Sequence, residues 1–113
     1  MIGEIVRGGI YFADLPGVGD KRVLVVSWSA INHGLRSPIV CLVTSTRRER
    51  SLPTDVSVSA GEAGMIEDSW ILCHEIATLD AEMFRHEIGV LSSPLLVQVE
   101  TALRYALDLP QPS

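Results

Sequence analysis

Lys21 and Arg22, then Thr44, Ser45 and Thr46, then Arg47, Arg48 and Arg50 are the side chains with the most chemistry to offer. All fall within residues 21–50. That stretch holds six of the nine basic residues and one acid, while the other residues carry three basic and thirteen acidic groups. An acidic chain with one basic island is built to meet an anion there. Cations beside hydroxyls suit cleavage of RNA by its own 2′-hydroxyl, which needs no metal and no protein nucleophile. The reaction needs a base for the 2′-OH, an acid for the 5′-oxygen, and donors for a phosphorane with extra negative charge. A cation and a hydroxyl fixed at that phosphate act by electrostatic preorganisation. The same side chains also read as solvated strand-end charges and an ordinary strand threonine, and residue types alone leave both readings open.

Other chemistries find less support. His33, His74 and His86 are isolated, with no HExxH and no paired CxxC, so neither a metal site nor a cofactor is expected. Gly17-Val18-Gly19 is too short for a phosphate-binding loop, and no GxSxG elbow occurs.

The elements that must position the basic island follow from pattern. Val23–Val26 and Ile39–Val43 are continuous apolar runs and read as neighbouring strands buried on both faces. The second turns polar at Thr44, as a strand does on leaving the core. Ile5–Leu15 is expected as a strand, with Gly8-Gly9 marking a bulge or a close backbone approach. Residues 29–38 read as irregular, with one helical turn capped by Ser29. Thr54–Val58 and Ser69–Leu79 read as strands. The longer one places Trp70, Leu72, His74 and Ile76 on one face and Ile71, Cys73, Glu75 and Ala77 on the other. Asp80 reads as an N-cap, with Leu79 and Phe84 as its hydrophobic staple. Ile88–Leu91 is expected as the last strand. Ser93 as N-cap and Pro94 at the first helical position open the best helix, whose apolar stripe is Leu96, Val99, Leu103 and Ala106. Five or six strands and a C-terminal α-helix make a mainly β chain: an SH3-like barrel or a curved antiparallel sheet.

At 113 residues this is expected to be one domain, residues 1–113. A content of 47% hydrophobic residues fits a compact soluble protein rather than a disordered chain. The net charge of −5 argues against non-specific coating of DNA or of anionic membrane, though not against a local nucleic-acid site. Cys41 and Cys73 lie inside apolar runs and read as buried, reduced thiols of a cytoplasmic protein. No apolar run approaches the ~20 residues that span a bilayer, and the N-terminus lacks a signal-peptide pattern.

The order of short pieces then resembles the MazF/PemK-type toxins, the ribonuclease half of a bacterial toxin–antitoxin pair. Arg7–Leu15, RGGIYFADL, resembles that family's opening RGDIYxxDL, and Lys21–Val26 resembles its RPxLV strand. Asn32, the strand ending at Thr44–Thr46, Leu52-Pro53-Thr54 and Asp68–Ile76 follow in the family's order. The resemblance implies a MazF/CcdB/Kid-like fold and a catalytic pair of one basic residue and one threonine. The threonine carries over to Thr44. The register that aligns Val23–Val26 and Thr44 places Lys21 at the family's arginine, with Arg22 as the alternative. Sliding by one residue would flip every side chain of the strand.

The resemblance further implies a homodimer that cleaves single-stranded RNA and is neutralised by an antitoxin. An acidic, disordered antitoxin tail suits the basic groove. Trp28, Asn32, His33 and Arg36 are candidates for base contact, although Trp28 reads equally as core or dimer packing. Ser45, Thr46, Arg47, Arg48 and Arg50 are candidates for phosphate, and Glu75 stands where the family carries glutamine. Two alternatives stay open: a CcdB-like gyrase poison that is not an enzyme, and a dimer that binds RNA or antitoxin with weakened catalysis.

Overall fold

The two apolar runs pair at the centre of the molecule. The computed structural model describes residues 3–46 and 52–112. In it β1 (Gly9–Leu15), β2 (Gly19–Val25), β3 (Ile39–Thr44), β4 (Asp55–Val58), β5 (Ser69–Thr78) and β6 (Phe84–Val90) form one sheet, followed by α1 (Ser93–Ala106). The strand order is β4-β5-β3-β2-β1-β6 and every pairing is antiparallel. Strands β2 and β3 are therefore covered on both faces, which is why their sequences do not alternate.

One face carries Ile10, Leu24, Cys41, Val43, Ile71 and Cys73, packed under Leu95, Val99 and Ala102 of α1. The other carries Tyr11, Ala13, Val23, Val25 and Val40, packed with Ile5, Leu79, Ala81 and Phe84. The covering of this second face follows from the topology. β5 and β6 are separated in the sheet by β3, β2 and β1, so the connection between them must cross these strands. It does so through a 3₁₀ turn, Ala81–Met83, capped by Asp80 Oδ1 accepting from Glu82 N at 2.9 Å, and the staple residues Leu79 and Phe84 are both buried. The segment before β1 folds back onto the same face. The Tyr11 hydroxyl holds it, accepting from Val6 N at 2.9 Å and donating to the Glu4 carbonyl at 3.3 Å.

The sheet is curved rather than closed into a barrel. β4 and β6 are its two edges, yet the loop after β4 reaches β6. A Cβ on Gly89 would stand 2.2 Å from the Ala63 carbonyl oxygen, and one on Gly64 would stand 2.2 Å from that of Ile88. Only backbones without side chains meet this closely.

Several local expectations shift. The first strand starts at Gly9, because Gly8 (φ 88°) takes a left-handed conformation and bridges Val25 O and Leu91 N at 2.8 Å each. The turn after β2 is a π-helical turn, Ile31–Leu35, flanked by Ala30, and Ser29 does not cap it. The cap of α1 is Ser92, not Ser93: its Oγ accepts from Leu95 N at 3.4 Å. The buried stripe consequently falls on Leu95, Val99 and Ala102, with Leu96 and Leu103 at its margin.

The largest departure is in β5. Leu42 faces Leu72 while the preceding Cys41 faces Ile76, so Cys73, His74 and Glu75 bulge out of the ladder. The bulge reverses the alternation. Leu72 shares a face with Leu42, and Ile76 shares the opposite face with Cys41. His74 and Ile76 therefore do not join Trp70 and Leu72 on one face, and His74 is exposed rather than packed.

Candidate active site

Chain direction brings the start of β2 beside the end of β3. The ladder pairs Arg22 with Val43; carried one step further it sets Lys21 opposite Thr44. Residues directly opposite share a face and are side-chain neighbours. That face is the second one, since Lys21 also faces Ala13, and Thr44 faces Trp70. Lys21 is exposed, and Thr44 is half-buried. Thr44 Oγ1 accepts from Thr46 N at 3.1 Å. A hydroxyl has one proton and two lone pairs, so this bond occupies an acceptor site and leaves the proton to donate elsewhere. Ser45 is half-buried and Thr46 exposed beside it.

Arg22, the alternative cation, points the other way. Its Nη1 donates to Ser69 Oγ at 2.9 Å and lies 3.2 Å from Met65 Sδ, on the face that carries α1. Successive residues of a strand project to opposite faces, so Lys21 and Arg22 cannot both accompany Thr44.

The base-contact candidates divide. The loop holding Trp28, Asn32, His33 and Arg36 begins beyond Val25, at the other end of β2 from Lys21. That is about 13 Å along the strand at ~3.3 Å per residue. Trp28 is 69% exposed, so within this subunit it is not core. Asn32 is buried and turned inwards: its Nδ2 donates to the Ser27 carbonyl at 3.2 Å, and its Oδ1 accepts from Ser27 Oγ. Ser27 Oγ in turn accepts from Ile39 N at 2.9 Å. Asn32 thus braces the loop against β3 instead of presenting its amide outward, which corrects its expected place among the base contacts. His33 is exposed, with Nε2 3.0 Å from the Ile5 carbonyl and 3.4 Å from Glu4 Oε1. His33 and Arg36 line a cleft of about 520 Å³ on the second face, bounded across from them by Phe84 and Arg85. Phe84 pairs with Ala13, and Ala13 with Lys21, so one wall residue of the cleft and Lys21 lie in the same cross-strand row.

Glu75 is exposed in the β5 bulge, and β3 lies between that strand and Lys21. Beside it His74 is exposed, with Nδ1 3.2 Å from Thr54 Oγ1. The only sign of the bulge in the sequence is the length of the strand. Arg47, Arg48 and Arg50 lie outside the described residues. Among the described residues no three His, Cys, Asp or Glu side chains converge as a metal site. Cys41 and Cys73 are buried free thiols; hydrogen bonding to Cys73, together with burial, pushes the Cys41 thiol well above the usual range.

A small curved antiparallel sheet with a C-terminal helix defines the class of fold. The chain belongs to the family of PemK-like, MazF-like toxins of type II toxin–antitoxin systems, which it matches over residues 6–107. It is 33% identical to endoribonuclease EndoA of Bacillus subtilis (strain 168) over 111 residues, covering 93% of this chain and 96% of that protein. It is 29% identical to endoribonuclease MazF of Staphylococcus epidermidis, with 93% and 92% covered. Among solved structures it resembles a mycobacterial endoribonuclease in complex with its cognate antitoxin. That match has a TM-score of 0.84 and 30% identity, and covers 96% of this chain and 99% of that one.

Proposed function

We propose that this toxin is a metal-independent endoribonuclease that cleaves single-stranded RNA at specific sequences, with Lys21 and Thr44 at the scissile phosphate. The observation that carries this reading is their placement on one face, with the Thr44 proton left to donate. The RNA 2′-oxygen attacks the adjacent phosphorus, the bond to the 5′-oxygen breaks, and the products are a 2′,3′-cyclic phosphate and a 5′-hydroxyl. The Lys21 ammonium and the Thr44 hydroxyl stabilise the extra charge on the phosphorane. A donor of this kind contributes about 10²–10³-fold to rate.

Trp28, His33 and Arg36 serve base contact, and unstacked bases of single strands are what such side chains can read. They stand at the far end of β2, so a homodimer whose RNA groove crosses both subunits unites them with the catalytic pair more readily than one subunit does. Ser45, Thr46 and Glu75 are further contacts to the RNA strand in this reading, and Arg47, Arg48 and Arg50 supply charge for its phosphates. An acidic antitoxin segment competes for the same cations in the cytoplasm. The relatives' names, and the mycobacterial complex with its antitoxin, support the activity and the partner.

The test is incubation of purified protein with mixed-sequence RNA in excess EDTA, followed by end-group analysis. Fragments ending in cyclic phosphate are expected. Intact RNA together with inhibited gyrase supercoiling would favour the CcdB-like alternative. Intact but bound RNA would mark a dimer with weakened catalysis.

A further inference from the structure

We propose that the pocket around Arg22, on the face turned away from Lys21 and Thr44, is a second binding site that takes a monocarboxylate carried on a flat apolar group. This inference stands apart from the proposed cleavage reaction. The pocket encloses about 310 Å³, the small end of ligand-binding cavities.

Its cation has no counter-ion among the described residues. Arg7 pairs with Glu100 at 2.8 Å and Arg85 with Asp14 at 3.1 Å, but among the described residues no carboxylate lies within ion-pair distance of the half-buried Arg22. A guanidinium withdrawn from water without a partner is costly and favours an incoming anion. Ser69 and Met65 engage Nη1 alone. Nε and Nη2 have no partner among the described residues, and these two donors form the edge that grips a carboxylate in a bidentate pair.

The walls select what the carboxylate is attached to. Phe12 and His86 bring two rings together, 4.9 Å between centroids and tilted by 47°, and Met65 and Ile88 continue the apolar lining. Ile66, 94% exposed, stands at the rim where an entering ring would cover it. Glu67 lines the same pocket. Its carboxylate repels any anion held by Arg22, and a phosphate dianion more strongly than a monocarboxylate. The acid can be a free small molecule or the C-terminal residue of a peptide, since both present the same group.

The test uses the full-length protein with ¹³C-methyl methionine and follows the Met65 methyl and His86 ring signals. Benzoate should shift both, whereas benzamide, of the same shape without charge, should bind at least about tenfold more weakly. Arg22→Gln should abolish the benzoate shifts. Arg22→Lys, which keeps the charge and loses the fork, should weaken them several-fold and covers the case in which the first variant fails to fold. Phenyl phosphate should bind more weakly than benzoate and recover in Glu67→Gln. Indole-3-acetate binding as tightly as a short peptide ending in Trp with a free carboxylate indicates a free acid. Tighter binding of the peptide indicates a chain terminus, and either supports the site. Equal shifts from benzamide, benzoate shifts that persist in both Arg22 variants, or tighter binding of phenyl phosphate to the wild-type protein would overturn the proposal.

Discussion

The Arg22 guanidinium donates to the Ser69 hydroxyl at 2.9 Å, across the intervening strand β3, and Ser69 donates its own proton to the Glu67 carbonyl at 3.0 Å. Ser69 is fully buried. This relay ties the start of β2 to the start of β5 and anchors Arg22 on the face that carries α1. Ser69→Ala removes both bonds, one of them to a charged donor. We expect it to cost about 2 kcal/mol, read as a lower urea midpoint with unchanged slope.

Trp28 is exposed beyond the end of β2, while its carbonyl accepts from Ile31 N at 2.9 Å and Asn32 N at 3.1 Å. Its backbone holds the turn and its ring is spare. In a cleavage-defective Thr44→Ala background, Trp28→Ala should lower affinity for a labelled single-stranded RNA about tenfold, the value of one stacked base. The melting temperature should hardly move. Fluorescence anisotropy and a thermal melt on the same two proteins check both halves.

Asn32 shows the opposite pattern. Its amide satisfies Ser27 inside the protein, and Asn32→Ala strands the Ser27 carbonyl and hydroxyl where water cannot replace the partner. The expected loss is about 2 kcal/mol of stability. Chemical denaturation measures it directly, and unchanged stability would show that the amide does not brace the loop.

Gly89 and Gly34 offer a contrast in crowding. A Cβ at Gly89 runs into the Ala63 backbone, whereas nothing lies within 4 Å of one at Gly34. Gly89→Ala should therefore push the loop after β4 off β6 and destabilise the protein by about 2 kcal/mol. Gly34→Ala should stay within about 0.5 kcal/mol. Paired urea titrations test the curvature of the sheet through this one contact.

The central fold was legible because β2 and β3 are apolar without alternation, which only burial on both faces explains. The Asp80 cap was equally plain. The β5 bulge was not, because an inserted loop inside a strand leaves its residue types strand-like while reversing the faces beyond it. That is why His74, which alternation groups with Trp70, Leu72 and Ile76, parts from them and stands in solvent. Asn32 was misread for a related reason: a polar residue in a loop looks free until the hydroxyl that holds it, five residues away on Ser27, is seen to turn inward. The choice between Lys21 and Arg22 rested on register, and the structure separates the two by face.

That separation allows the most direct measurement of the account. Single-turnover cleavage of one RNA substrate in EDTA should fall by about 10²-fold or more for Lys21→Ala and for Thr44→Ala, while folding is retained. Arg22→Gln, whose side chain lies behind the sheet, should cleave at a rate within several-fold of wild type. Loss of cleavage in Arg22→Gln with Lys21→Ala still active would contradict the account and move the active site to the other face.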